Sequence, residues 1–321
     1  MLKVGVPAWI EEDLLAKFPR EITLERIESR PERQIDVEFW VAPTSAKGFQ
    51  QVLPHLTGVR VVQAMLAGVD WMKKLVPEGV TLCDGQGMHN IPTAEWTLTA
   101  ILSSLKFFPF YRDLQHTGEW QRLTEADATY RQLHRGEKLM SFKVLQEELY
   151  GKRVMIVGYG SIGRSIEERL LAFGAEIVRV ARQAREGVEC VDRLLDLLPD
   201  ADIVVLIVPL TEETTGMIGA RELEKMKQGA LLVNAARGPV VQTDALVAAL
   251  QSGRIRAAVD VTDPEPLPKD HPLWSAPNLL ITPHIAGSSP RSMERAIGFA
   301  AEQVERYLRG DELQNVVTGS Y

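Results

Sequence analysis

Cysteine is scarce in this sequence. Cys83 and Cys190 are the only two among 321 residues, far apart and without a metal-ligand spacing. Neither a disulfide framework nor a thiolate metal site is expected, and free thiols in a cytoplasmic protein are the simpler reading. Long apolar runs are missing too. No stretch approaches the roughly 20 residues of a membrane span, and Met1-Leu2-Lys3-Val4-Gly5-Val6 reads as a first strand, not a signal peptide. There is no excess of positive charge. A net charge of −7 removes the electrostatic support a nucleic-acid role would need. The chain has no C-x-x-C pair, no H-E-x-x-H and no G-x-S-x-G elbow, and neither an internal repeat nor a low-complexity tract. The acidic run Glu11-Glu12-Asp13 is most simply a solvated helix start.

What is present is ordinary globular material, 45% hydrophobic and 25% charged, enough for two domains with cores of their own. The most informative stretch is Lys152–Arg164. The apolar run Val154–Val157 leads into Gly158, Gly160 and Gly163, and a helical pattern follows through Ile166, Leu170, Leu171 and Phe173. Strand, tight glycine turn and helix is the pattern that cradles a dinucleotide. The first glycine makes the turn, the second lets backbone approach a pyrophosphate, and the third lets helix and strand pack closely. The phosphates then meet the free N–H groups at the helix start.

Residues 1 to about 100 read as a small α/β unit. Strands are expected at Lys3–Val6, Val37–Val41, Arg60–Gln63 and Val80–Leu82, with helical patterns at Glu11–Phe18 and Phe49–Leu56 between them. The turn Met65–Asp70 follows a strand and precedes a helical segment. Its amides suit a small anion, although spacing alone favours a plain strand–helix turn. Thr93–Phe108 is a long helical pattern with Thr93 as its expected N-cap, broken by Gly118-Glu119-Trp120. Leu123–Gln146 is polar and without strong periodicity, and reads as an arm packed on a partner subunit. From Gly151 onward β–α units repeat, with strands at Glu176–Ala181, Asp202–Val208, Ala230–Asn234, Arg256–Val261 and Leu279–Thr282. Helices are expected at Asp192–Leu198, Ala220–Met226 and Val241–Leu250, and a long one runs on from Ser288. This describes a doubly wound sheet, whose ligands sit outside the carboxyl ends of its strands.

Arg237, Asp260 and His284 all fall at such ends. A histidine titrating near neutrality both donates and accepts protons. Glu265, in Asp263-Pro264-Glu265-Pro266, supplies a carboxylate that would stabilise the protonated ring. Arg237 offers a planar fork for a carboxylate or a carbonyl oxygen. Beside a nicotinamide these groups suit hydride transfer to a 2-keto acid. Each has a plainer reading, as a surface arginine, a solvated loop acid or a satisfied core histidine, and their shared position is what favours a site. NAD-binding versions of this fold carry an acid at the end of the second strand to hold the ribose 2′-hydroxyl. Here that place reads Ala181-Arg182-Gln183-Ala184-Arg185. Arginines pair with a 2′-phosphate that an acid would repel, so NADP(H) is expected over NAD(H).

With these residues in hand, the sequence resembles the D-isomer-specific 2-hydroxyacid dehydrogenases over nearly its whole length. The resemblance rests on Gly158-Tyr159-Gly160-Ser161-Ile162-Gly163, Pro209-Leu210-Thr211 with Thr214, and Asn234-Ala235-Ala236-Arg237-Gly238. It continues in Asp260-Val261, Pro264-Glu265-Pro266-Leu267 and Thr282-Pro283-His284-Ile285-Ala286-Gly287. It implies two Rossmann-like doubly wound α/β domains, with a nucleotide domain (98–287) inserted in a flavodoxin-like substrate domain (1–97 and 288–321). It also implies a homodimer, through an arm at about 98–150. The implied catalytic residues are Arg237, Glu265 and His284. The implied cofactor positions are Gly158 to Gly163, Arg182, Arg185, Val208, Pro209, Thr214, Ala235, Ala236, Arg237, Asp260, His284 and Ala286, with Asp260 on the nicotinamide amide. The implied substrate positions are Leu66, Ala67 and Gly68 together with Arg237 and His284, for a small 2-keto or 2-hydroxy acid. No metal is implied. Within the family, the arginine-bearing turn is similar to the NADPH-dependent glyoxylate and hydroxypyruvate reductases. One departure is Glu95-Trp96, where many members carry Glu-His, and no role is carried over to Trp96. No regulatory domain is expected after residue 321, so the larger phosphoglycerate dehydrogenase arrangement is set aside while its short form stays open. The remaining alternatives are another NAD-dependent D-2-hydroxyacid dehydrogenase and a non-catalytic nucleotide-sensing protein on the same scaffold.

Overall fold

The computed structural model describes residues 1–118 and 146–318. The chain divides into two compact units, Met1–Asn90 with Ser288–Tyr321, and Ile91–Gly287. The arm expected over Leu123–Gln146 lies, apart from Gln146, outside the described residues.

The first unit carries strands β1 (Leu2–Pro7), β2 (Ile22–Ile27), β3 (Ile35–Asp36), β4 (Phe39–Ala42), β5 (Leu56–Thr57), β6 (Val61–Ala64) and β7 (Thr81–Cys83). Five of them form a parallel sheet in the order β2-β1-β4-β6-β7, while β3 and β5 pair separately. Counted along the main sheet this is the 2-1-3-4-5 order of flavodoxin-like folds. Its inner strands are mostly apolar because both faces are covered. One face packs Trp40, Phe49, Val62, Val69 and Met72. The other packs Val4, Val6, Phe39 and Val41 against Ala296, Ile297, Ala300 and Val304. Full burial of such side chains contributes roughly 1.5–3 kcal/mol each.

Those last residues lie on the helix Pro290–Arg309, which begins with proline in its first turn and ends at Gly310 with φ +74°. Both are the expected punctuation, since proline lacks only an N–H the first turn does not use and glycine accepts the left-handed cap. The apolar stripe of this helix is interrupted by Gln303, which is fully buried. Its amide donates to Gln63 Oε1 (3.1 Å) and to the Gln314 carbonyl (2.8 Å), and its Oε1 accepts from Gln314 N (2.9 Å). Gln63, equally buried, donates to the carbonyls of Ala64 (2.9 Å) and Asp84 (3.0 Å). Two buried amides thus satisfy each other and tie the late helix to β6.

The second unit holds β8 (Arg153–Val157), β9 (Glu176–Ala181), β10 (Glu189–Cys190), β11 (Ile203–Leu206), β12 (Leu231–Asn234), β13 (Arg256–Val259) and β14 (Leu279–Ile281). They form one parallel sheet in the order β10-β9-β8-β11-β12-β13-β14. The order reverses between β8 and β11, the switch point at which such sheets bind ligands. The unit opens with a helix that differs from expectation. It runs Asn90–Leu105, so Thr93 is not its N-cap but lies inside it, with its carbonyl accepting from Thr97 Oγ1 at 2.8 Å. Ala94, Ile101 and Leu105 on this helix pack with Val154, Ile156 and Ile166, which places residues 91–97 in the second unit. Phe107, at φ +53°, ends the run, and a separate helix, Phe108–Thr117, is closed by Gly118. Below the sheet Arg256 and Glu147 form a buried ion pair at 2.9 Å. The segment expected as one helix at Asp192–Leu198 is a chain of short turns, with α-helix only at Leu194–Leu197. Among the described residues no helix is long and apolar enough to cross a membrane.

Replacing Gln303 by leucine would leave the Gln314 backbone and the Gln63 carbonyl oxygen without their buried partners. We expect a loss of about 1–3 kcal/mol, read as a lower thermal midpoint of the first unit, with that of the second unit retained.

Candidate active site

The glycine turn follows β8. Gly158 has φ +106°, and a Cβ there would stand 2.4 Å from the Ile207 carbonyl oxygen and 2.8 Å from Val208 N. Only glycine lets the turn pass this close to the end of β11. A Cβ on Gly163 would meet the Gly158 oxygen at 2.7 Å, whereas one on Gly160 would meet nothing within 4 Å. The helix Ser161–Ala172 starts behind Gly160 with no side-chain cap. An uncapped helix start facing open space across a glycine fits a pyrophosphate, because the first N–H groups of a helix lack acceptors of their own.

Tyr159 is the centre of a basic cluster. Arg164, Arg179 and Arg185 stand over its ring, 5.7, 5.6 and 5.8 Å from the centroid. Its hydroxyl bonds Glu167, which in turn pairs with Arg179 through both nitrogens of the fork. Burial works against the Glu167 charge, but the bonds from Arg179 and Tyr159 prevail and hold its carboxyl below the ordinary value. Burial, then Glu167, pushes the Tyr159 hydroxyl up. Arg185 also donates to the Tyr159 carbonyl at 2.7 Å, which joins the turn after β9 to the glycine turn. Arg182 and Arg185 are exposed, and β9 ends at Ala181 with no carboxylate in the place of the ribose-binding acid. On the other side of the turn, Val208 and Pro209 leave β11, and Thr214 folds its loop back by donating to the Pro209 carbonyl at 2.7 Å.

Three neighbouring parallel strands, β12, β13 and β14, deliver Arg237, Glu265 and His284. After β12 the buried Asn234 accepts from Ala236 N (3.0 Å) and donates to the Arg237 carbonyl (3.1 Å), shaping Ala235, Ala236 and Arg237 into a tight turn. The Arg237 fork donates to the Ala236 carbonyl at 2.9 Å. A Cβ on Gly238 would lie 1.9 Å from the Thr262 oxygen, so glycine is what lets the arginine turn touch the loop leading to Glu265. Thr262 and Thr243 hydroxyls donate to the carbonyls of Pro264 (2.9 Å) and Asp263 (2.8 Å) and hold that loop.

His284 Nδ1 lies 2.6 Å from Glu265 Oε1, with the two side chains 45% and 40% exposed. At that exposure the pair is worth about 0–1 kcal/mol to stability, and its consequence is orientation: a carboxylate acceptor keeps hydrogen on Nδ1 and leaves Nε2 to exchange protons. The strand before the histidine is half-buried. His284 itself has φ +53°, a conformation costing roughly 1–3 kcal/mol outside glycine. Asp260 holds it there. The carboxylate, 2% exposed, accepts from Thr282 Oγ1 (2.6 Å) and Ile285 N (2.8 Å) on Oδ1 and from Ala286 N (2.7 Å) on Oδ2. His284 N donates to the Asp260 carbonyl at 2.7 Å. Of about four acceptor positions on a carboxylate, three are taken from the histidine turn.

The remaining expected site residues, Leu66, Ala67 and Gly68, lie in the other unit after β6, half-buried. Gly85 N donates to the Leu66 carbonyl at 2.7 Å and steadies the turn. The helix that follows, Asp70–Lys73, is a single turn, so any anion binding there falls to the turn's own amides. Sequence reasoning assigned no role to Asn234 or Thr282. For Asn234 the signal was a buried polar residue at the end of an apolar strand; Thr282 is half-buried and lies just past β14.

The family model described as the NAD binding domain of D-isomer specific 2-hydroxyacid dehydrogenase matches residues 98–286. A D-3-phosphoglycerate dehydrogenase of Methanocaldococcus jannaschii is 31% identical over 96% of the chain, which spans only 55% of that relative's length. A glyoxylate reductase of Thermococcus gammatolerans is 30% identical over 95% of the chain and 87% of its own length. Among solved structures, an NADPH-dependent glyoxylate/hydroxypyruvate reductase of Sinorhizobium meliloti in complex with NADP and sulfate has a TM-score of 0.80 at 25% identity, covering 99% of this chain and 98% of that one.

The Glu167 carboxyl is depressed below 4.5, so its stabilisation is whole above pH 4.5 and is lost as pH falls through the lower, folded value. We expect Glu167→Gln to cost about 1 kcal/mol at pH 7, discounted because Arg179 is partly exposed. The gap to wild type should narrow as pH falls below the ordinary carboxylate range and Glu167 is protonated in the folded state, as followed by thermal melting across pH.

Proposed function

The chain belongs to the D-isomer specific 2-hydroxyacid dehydrogenases, oxidoreductases acting on CH–OH donors, and from that premise we propose an NADPH-preferring reductase of a small 2-keto acid, glyoxylate or hydroxypyruvate. The observation that carries the reading is the Glu265–His284 pair, held at a strand end next to the one that delivers Arg237. A bound nicotinamide would supply the hydride. With Nδ1 held by Glu265, His284 gives the proton on Nε2 to the alkoxide oxygen, and in the reverse direction the same nitrogen takes the hydroxyl proton. Arg237 polarises the carbonyl and holds the neighbouring carboxylate with its fork. The backbone of Leu66, Ala67 and Gly68 is proposed as a further carboxylate contact. Asp260 has acceptor capacity left on Oδ2 for the amide of the nicotinamide. NADP preference is supported by Arg182 and Arg185 at the end of β9 and by the missing acid. A homodimer and a cytoplasmic setting belong to the same proposal.

Oxidation of NADPH and NADH, each followed against glyoxylate, hydroxypyruvate, pyruvate and phosphohydroxypyruvate, tests the reading. NADPH with glyoxylate or hydroxypyruvate should be fastest. A preference for NADH with phosphohydroxypyruvate would favour the phosphoglycerate dehydrogenase relative, and nucleotide binding without turnover would favour a sensor. Arg237→Ala should lower kcat/KM by roughly 10³-fold or more with the dissociation constant for NADPH within a few-fold of wild type. The double change Arg182→Ala with Arg185→Ala should raise the KM for NADPH by about 10–100-fold and leave that for NADH nearly unchanged.

A further inference from the structure

Trp96 stands on the helix Asn90–Leu105, far in sequence from the histidine turn, yet its indole N–H lies 3.0 Å from Thr282 Oγ1. The same hydroxyl oxygen is 2.6 Å from Asp260 Oδ1. The chemistry of the three groups fixes the direction of both bonds. An indole N–H only donates, so Thr282 must accept from it. The hydroxyl has a single hydrogen, and the carboxylate oxygen beside it takes that hydrogen. The order is therefore Trp96 to Thr282 to Asp260.

We infer that Trp96 is a positioning residue for His284, acting through Thr282 and Asp260. The inference rests on the reductase reading for its kinetic side only. With the indole in place, the Thr282 hydroxyl points one way, and Asp260 Oδ1 receives two donors, Thr282 and Ile285 N. Oδ2 accepts, among the described residues, from Ala286 N and keeps acceptor capacity for a ligand. The indole thus fixes the position of the hydroxyl oxygen whose hydrogen Oδ1 takes. It also pins the start of the turn whose end is held by Ile285 and Ala286, and the left-handed His284 lies between those anchors. Without the indole donor the hydroxyl still donates to Oδ1 but its oxygen loses the second anchor, so the start of the turn is held less firmly and the imidazole shifts relative to Glu265. Trp96 packs on the core of its unit in addition, so a test must separate the hydrogen bond from the packing.

Thr282→Val keeps the shape of the side chain and removes the hydroxyl, while Trp96→Phe keeps a ring and removes the N–H. Each should lower kcat roughly 10–100-fold, with the dissociation constant for NADPH within about threefold. The amides of Ile285 and Ala286 should exchange faster in both variants. In the double variant the kcat loss should equal the larger single loss, because both changes cut one relay. Multiplied losses in the double variant, or unchanged kcat and unchanged amide exchange in Thr282→Val, would overturn the inference. Should wild type reduce none of the keto acids, the reductase reading falls by itself. Amide exchange then decides on the relay: faster exchange in both variants sustains it and unchanged protection removes it.

Discussion

Asp260 is buried to 2% exposure, and a carboxylate taken that far from water must be met by donors or it is too costly to keep. It is met by Thr282, Ile285 and Ala286, all in the turn that carries His284. One satisfied charge at the end of β13 therefore dictates the path of the chain after β14. The histidine takes a backbone conformation that few residues would choose, and its ring is thereby brought to Glu265. Electrostatic satisfaction of a single buried group sets the geometry of the His284–Glu265 pair.

The same economy of space is seen in two glycines. Gly158 passes within reach of the Ile207 and Val208 backbone, and Gly238 presses against Thr262. The first brings the turn after β8 against the end of β11, where a dinucleotide fits. The second brings the arginine turn against the loop that bears the glutamate. Neither contact tolerates a methyl group, so both are constraints of volume, not of flexibility alone. The parallel sheet supplies the alignment of strand ends, and the glycines supply the closeness.

Much of the second unit was legible because β8, β11, β12 and β13 are almost wholly buried and give apolar runs such as Val154–Val157 and Leu231–Val233. That Arg237, Glu265 and His284 follow the ends of neighbouring strands was legible from the repeat of β–α units. What escaped had a different physical basis. β2 is an edge strand whose Glu25 and Arg26 dilute its pattern. Thr93 looks like a cap but lies inside a helix that starts earlier, since Asn90 already joins the helical path. Gln63 and Gln303 would have been scored against burial one at a time, and only their pairing makes them interior residues. The bonds of Asn234 and Thr282 link residues through space, which spacing along the chain does not register.

The helix Pro290–Arg309 covers one face of a sheet made from the first ninety residues, with the whole of Ile91–Gly287 lying between them in the sequence. This has a consequence for biosynthesis. At about 5–20 residues per second, the ribosome takes roughly 10–40 s to make the intervening segment. Throughout that time Val4, Val6, Phe39 and Val41 are already made but lack their cover, and by its end the second unit has all its strands and is able to close. The unit begun first is thus the one finished last. A nascent chain of this protein carries a bare apolar face for most of its synthesis, the kind of surface that chaperones engage.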